Sequence, residues 1–139
     1  MKSDAIRPTV RDVQNNDLLV AIVDDEESVR HALSRLMRSA GLRVAVFGSG
    51  AEFLDSLKSV RPDCVVLDMH MPELSGLDVQ LRLRAENDRL PVVIITGHDT
   101  AEVHRLSLEA GALAYLRKPI HDQTLLDAVA DAAARGKSH

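Results

Sequence analysis

The sequence predicts one doubly wound α/β domain, a five-stranded parallel sheet with helices on both faces. Two observations lead there. Five short apolar runs alternate with stretches of helical period, the β-α repeat of a parallel sheet with right-handed crossovers. Three of those runs are near-continuously apolar, as expected of strands buried on both faces. At 139 residues the chain suits a single domain, long enough to bury about two-thirds of its unfolded surface.

Each element follows in order. Residues 1–17, MKSDAIRPTVRDVQNND, are polar, carry Pro8 and show no period, so a flexible N-terminal tail is expected. The first strand is 18–23 (LLVAIV). After it Val29, Leu33, Leu36, Met37 and Ala40 share one helix face, and Gly41 stops the helix. The second strand is 43–47 (RVAVF), followed by Ser49 and Glu52 as a capping box ahead of Phe53, Leu54 and Leu57.

The third strand is 63–67 (DCVVL). Residues 77–84, LDVQLRLR, alternate apolar and polar, which is a strand pattern. Parallel neighbours, however, need a crossover of about a dozen residues or more, and 69–90 is the chain available for it. A helix is therefore expected there. The fourth strand is 91–95 (PVVII), then a helix carrying Val103, Leu106 and Ala110 and closed by Gly111. The fifth strand is 113–116 (LAYL), and Leu125, Leu126, Val129 and Ala133 mark a last helix closed by Gly136. The domain should span 18–135, with 136–139 a C-terminal tail.

Composition excludes several functions. Phe47, Phe53 and Tyr115 are the aromatic residues, too few for the stacking platforms that hold single-stranded nucleic acid. A net charge of −4 and a pI near 5.8 offer no basic footprint for duplex DNA, so no direct nucleic-acid binding is expected. No run approaches the ~18 apolar residues of a membrane span, and the N-terminus lacks a signal-peptide core. The single Cys64 sits in an apolar run and reads as a core residue. A cytoplasmic protein, off the membrane, is the expectation.

In doubly wound sheets the functional crevice lies at the carboxyl ends of the strands, where strand order reverses. After the first strand come Asp24 and Asp25, after the third Asp68, after the fourth Thr96, after the fifth Lys118 and Pro119. With strands one and three adjacent, three carboxylates meet, and their repulsion on desolvation calls for a cation. All-oxygen ligation with room for water suits Mg²⁺ or Mn²⁺. A cation, a lysine and a hydroxyl make a place for a phosphoryl group, and a carboxylate among them is a nucleophile. Glu26 and Glu27 read as first-turn acids that favour the helix dipole.

VAIVDDEES, VVLDMHMPELSGLD, VVIITGH and YLRKPI, in this order and spacing, resemble the response-regulator receiver domain of two-component signalling. The likeness covers residues 18–135. It implies a flavodoxin-like (βα)₅ sheet of order 2-1-3-4-5. It makes Asp68 the phosphoacceptor, served by a sensor histidine kinase or phosphotransfer protein. Asp25 would ligate Mg²⁺ with Asp24 nearby, and the His70 backbone carbonyl would be a further ligand. Thr96 and Lys118 would contact the phosphoryl oxygens, and the Tyr115 rotamer would follow Thr96. His70 and His98 occupy positions that tune phosphoryl lifetime. The Lys118–Pro119 bond is expected to be cis. A switch face on the fourth helix, fifth strand and fifth helix implies a phosphorylation-linked homodimer, and control of a downstream output, transcription by the styling of the motifs.

Each residue has a plainer reading. Strand-end acids serve as helix caps, Thr96 as a turn hydroxyl, Lys118 as a solvated charge, and Tyr115 as half-buried packing. His70 and His98 read as loop residues or as zinc or iron ligands. Met69 and Met71 suit loop packing, and Arg82, Arg84 and Arg89 a solvated helix face. Two other functions stay open. A flavodoxin-like ligand binder needs an anion-cradling loop where this chain has DDEE. A metal-dependent phosphatase needs an acid two residues past its nucleophile, where this chain has His70.

Overall fold

The structure, a computed structural model, describes residues 17–137. The expected tail thus lies almost wholly outside the described residues, as do residues 138–139. Five strands and five helices alternate: β1 Leu19–Val23, α1 Glu27–Ser39, β2 Arg43–Phe47, α2 Gly50–Ser56, β3 Cys64–Asp68, α3 Gly76–Ala85, β4 Val92–Thr96, α4 Ala101–Glu109, β5 Ala114–Arg117 and α5 Asp122–Lys137. The sheet is parallel throughout, in the order β2-β1-β3-β4-β5. Every predicted element is present, with ends shifted by a residue or so.

Alternation along the central strands builds two cores. Val20 and Ile22 of β1 join Met37 of α1 and Leu125 and Val129 of α5 on one face. Ala21 and Val23 turn to the other, with Phe53 of α2, Val79 and Leu83 of α3, and Val103 of α4 at its margin. β3 and β4 are buried along their whole length, whereas the edge strands β2 and β5 are only partly covered. The continuous apolar runs belong to the strands with a neighbour on each side.

The ambiguous stretch is helix α3. It buries Gly76, Val79, Gln80 and Leu83, the i, i+3, i+4, i+7 spacing of one helix face, so the strand-like alternation loses to the helical period. One result is that Gln80 is 2% exposed while Leu81 is 50% exposed. The buried amide is only half satisfied: Gln80 Nε2 donates to the Ser107 carbonyl at 3.0 Å, while among the described residues Gln80 Oε1 and the Ser107 hydroxyl find no partner.

Three expectations need correction. At Ser49 only half of the capping box forms, Ser49 Oγ accepting from the Glu52 N–H at 3.1 Å. A complete box stands instead at Ser75 and Asp78, with reciprocal bonds of 3.1 and 2.9 Å, the shorter aspartate replacing the usual glutamate. Gly41 and Gly111 do stop their helices, at φ 88° and 101°, but Gly136 does not, because α5 runs through it to Lys137. Its role is close approach, since a Cβ there would collide with the backbone carbonyl oxygen of Asp63. Nor are the three arginines one solvated face: Arg84 Nη1 donates to the Glu109 carbonyl at the end of α4 at 2.5 Å, and Arg89 lies in the loop before β4.

Candidate functional site

Strand register assembles the site. Val23 of β1 pairs with Leu67 of β3, so one step further sets Asp24 beside Asp68. Asp68 pairs with Ile95 of β4, which sets Thr96 one residue beyond. Thr96 pairs with Arg117 of β5, and the next residue, Lys118, donates its N–H to the Thr96 carbonyl at 2.7 Å. Four strand ends thus lie side by side at the carboxyl edge of the sheet, where β1 and β3 open in opposite directions. The Lys118–Pro119 bond is cis.

The four consecutive acids divide sharply. Asp24 is fully buried, while Asp25, Glu26 and Glu27 face solvent. Glu27 opens α1, where a negative charge suits the helix dipole. Asp24 Oδ1 accepts from the Glu26 N–H at 2.9 Å and Oδ2 from Lys118 Nζ at 3.2 Å. Lys118 also reaches Asp68 Oδ1 at 3.5 Å. One ammonium therefore bridges two buried carboxylates.

It does not neutralise them. Burial, with Asp24 alongside, pushes the Asp68 carboxyl up to about 6 against the opposing pull of Lys118 and the His70 N–H. Burial draws the Lys118 pKa down, but Asp68 and Asp24 outweigh it and hold the ammonium above its usual value. Carboxylate oxygens of Asp24, Asp25 and Asp68 lie within 4.8 Å of one another. Three acids against one lysine leave an excess of negative charge, and an all-oxygen donor set of this kind fits a hard divalent cation.

The remaining predicted residues surround this centre. Thr96 is buried, and its Oγ1 accepts from the His98 N–H at 3.0 Å. His70 and His98 meet edge to face with centroids 5.6 Å apart, and His70 Nε2 lies 3.2 Å from the His98 carbonyl. Among the described residues the metal-competent group contains no histidine, so the two rings engage each other across the mouth of the site. Met69 and Met71 are buried in the core. So is Cys64, whose thiol burial pushes up to about 12. Tyr115 is half-buried, its hydroxyl donating to Asp99 Oδ1 at 2.7 Å with the Thr96 side chain within reach.

Sequence reasoning missed two supports. Arg30 on α1 donates from Nη1 to the Asp24 carbonyl at 2.7 Å, clamping the loop that carries both β1 acids. Gly76, the first residue of α3, donates its N–H to the Met69 carbonyl at 2.8 Å, and a Cβ there would stand 2.6 Å from the Asp68 carbonyl oxygen. Nothing local marks Arg30, which looks like any helix arginine. Gly76 lies within VVLDMHMPELSGLD with no local sign of that close approach.

The sequence profile of the response regulator receiver domain matches residues 20–130. The chain belongs to the response-regulator receiver family. This receiver is 42% identical over 119 residues to Nodulation protein W of Bradyrhizobium diazoefficiens, covering 86% of this chain and 52% of that protein. It is 38% identical to the response regulator protein TmoT of Ectopseudomonas mendocina, over 84% of this chain and 53% of that one. The receiver thus spans about half the length of these relatives. Among solved structures it resembles the receiver protein from Burkholderia phymatum, at 45% identity and a TM-score of 0.75, covering 85% and 96% of the two chains. FixJ-N gives 32% identity and a TM-score of 0.79 over 85% and 94%. Among the described residues no helix is long and apolar enough to cross a membrane.

Proposed function

We propose that this receiver accepts a phosphoryl group on Asp68 from a phosphohistidine of a sensor histidine kinase or phosphotransfer protein, and that the product switches a downstream output. An Asp68 carboxylate oxygen attacks phosphorus, the P–N bond breaks, and the imidazole leaves with the electron pair. Asp24, Asp25 and Asp68, with the His70 backbone carbonyl, would hold Mg²⁺ or Mn²⁺. The bound ion supplies charge neutralisation at the phosphoryl oxygens. Lys118 gives a fixed positive charge beside the nucleophile, and the Thr96 hydroxyl exchanges its bond from the His98 N–H for a phosphoryl oxygen. His70 and His98 cover the mouth and set the access of water, hence the phosphoryl lifetime.

Thr96 begins the loop that leads to α4, so its movement alters the face built by α4, β5 and α5, with Tyr115 following. That face serves a phosphorylation-linked homodimer. The output is transcriptional, a reading supported by the relative from Thauera aromatica called a transcriptional regulatory protein. The module turns over no external substrate beyond its own phosphorylation and slow dephosphorylation.

The observation that carries the proposal is the Lys118 ammonium bridging Asp24 and Asp68 beside a third carboxylate. Intact mass after incubation with acetyl phosphate and Mg²⁺ tests it. One phosphoryl group should be gained by the native chain and by neither Asp68→Ala nor the native chain in EDTA. An adduct that persists in Asp68→Ala, or no adduct at all, would overturn it.

A further inference from the structure

Every polar group of Asp24 is engaged. Its N–H donates to the Phe47 carbonyl at 3.2 Å, its carboxylate accepts from the Glu26 N–H and from Lys118, and its carbonyl accepts from Arg30 Nη1 at 2.7 Å. That carbonyl belongs to the peptide that joins Asp24 to Asp25. Holding it fixes the direction in which Asp25 leaves the loop. Asp25 is exposed, and among the described residues its carboxylate makes no hydrogen bond or ion pair of its own.

Arg30 reaches the carbonyl across Gly48, in the turn between β2 and α2. A Cβ at Gly48 would stand 3.3 Å from Arg30 Nη1 and 3.7 Å from its Cζ, and it would meet only this guanidinium. Electrostatics alone disfavours an arginine here. Arg30 lies in the first turn of α1, where the helix dipole opposes a positive charge, and it stands beside acids that call for a cation. The Asp24 and Asp68 carboxylates pair with Lys118 and not with Arg30. What Arg30 contributes is the bond to the carbonyl, charge-assisted and made by a rigid fork.

We infer that Arg30 is a positioning residue for the divalent-cation site, seated by Gly48, and that by holding the Asp24–Asp25 peptide it strengthens ion binding although its own charge repels the ion. The clamp rests on Asp24, Asp25 and Asp68 being that site. Charge and geometry then carry opposite signs. Were charge the whole effect, removing a cation from beside the acids would tighten ion binding. Removing the clamp loosens it, because the loop must then be ordered at the expense of binding free energy.

Mn²⁺ binding to the full chain is read from the electron paramagnetic resonance signal of the free ion, with urea unfolding in EDTA as a separate check of the fold. Arg30→Met keeps an apolar stem of similar length and donates nothing. It should bind Mn²⁺ about fivefold more weakly than the native chain, or worse. Arg30→Lys keeps the charge and a donor and should bind more tightly than Arg30→Met. Gly48→Val leaves Arg30 and every acid in the chain but fills the place of the guanidinium. It should weaken binding by a similar factor, and should add nothing in the Arg30→Met background. Gly48→Val alone carries the test if Arg30→Met does not fold.

Native or tighter Mn²⁺ binding in Arg30→Met or in Gly48→Val would overturn the clamp. So would an Arg30→Lys variant as weak as Arg30→Met, or a Gly48→Val effect that is the same with and without Arg30. If the native chain leaves the free-ion signal unchanged, the ion site itself fails and the clamp falls with it. That result is distinct from a native chain that binds Mn²⁺ no better than its variants.

Discussion

The carboxyl ends of β1 and β3 and the edge formed by β5 and α4 hold their functional side chains in opposite ways. Asp24 and Asp68 are 0% and 4% exposed. They stand at the ends of strands paired on both sides, on a backbone clamped by Arg30 and crowded by Gly76. Tyr115 sits on a partly covered edge strand, held by an exposed aspartate and an exposed histidine. The proposed reacting groups occupy a place where any displacement disturbs the centre of the sheet. The proposed responding groups occupy one held by a few surface contacts. Low local stability is what a moving element requires, and the partly covered β5 edge suits one.

The largest expected effect comes from breaking the rigid end. In Gly76→Val the Cβ would lie 2.6 Å from the Asp68 carbonyl oxygen and 2.9 Å from the Met69 Cα, and backbone cannot yield as a side-chain tip can. A loss of about 3 kcal/mol in urea unfolding is expected, with slower phosphorylation in whatever fraction folds. Gly111, in the turn before β5, gives the contrast. Nothing lies within 4 Å of a Cβ there, so Gly111→Ala meets only the positive-φ penalty of about 1 kcal/mol. Equal costs at the two glycines would remove the distinction between the ends.

A smaller effect comes from the charge on Asp68. Its folded pKa, about 6, is raised above the unfolded carboxylate value of about 3.9. The folded state therefore holds the proton more tightly between these values, and stability falls as pH rises through that window. Without a divalent ion, above about pH 6 the fold carries the whole cost of the buried charge, about 1–3 kcal/mol. Asp68→Asn should be more stable than the native chain by that amount at about pH 7.5 in EDTA, and the gap should narrow at about pH 5. Asp88, lowered chiefly by its hydrogen bond from Arg61, loses its contribution only at more acid pH and leaves this window alone. Mg²⁺ should stabilise the native chain more than the variant. A gap that ignores pH would mean the carboxylate is not destabilising.

The same contrast explains what the sequence could reveal. The central strands were legible because burial on both faces writes a continuous apolar run, and the acids at their ends are conspicuous for following it directly. α3 required a topological argument, since LDVQLRLR alternates like a strand and only the need for a crossover favours a helix. The close approaches at Gly76 and Gly136 depend on backbone far along the chain, Asp68 in one case and Asp63 in the other, so no local pattern announces them. Arg30 was hidden for the same reason: its partner is a carbonyl, and any residue offers one. The stack of His104 on Tyr115 joins a helix to an edge strand through one exposed and one half-buried ring, and neither position carries a periodic signal.

The smallest effect is the sharpest test of the mobile end. Asp99→Ala removes the acceptor of the Tyr115 hydroxyl and the partner of Arg117, at a site where the arginine side chain is 73% exposed. Exposed ion pairs contribute about 0–1 kcal/mol, and water can take both the phenol and the guanidinium once the carboxylate is gone. A stability change of about 0.5 kcal/mol or less is therefore expected in urea unfolding. The phosphorylation rate should shift all the same, because the switch reads the difference between two arrangements of the edge and not the stability of the whole fold. A cost near that of Gly76→Val would mean that Asp99 braces the sheet and that the β5–α4 edge is as rigid as the acid end. Tyr115 would then have nowhere to move, and the switch would have to leave the molecule by another face.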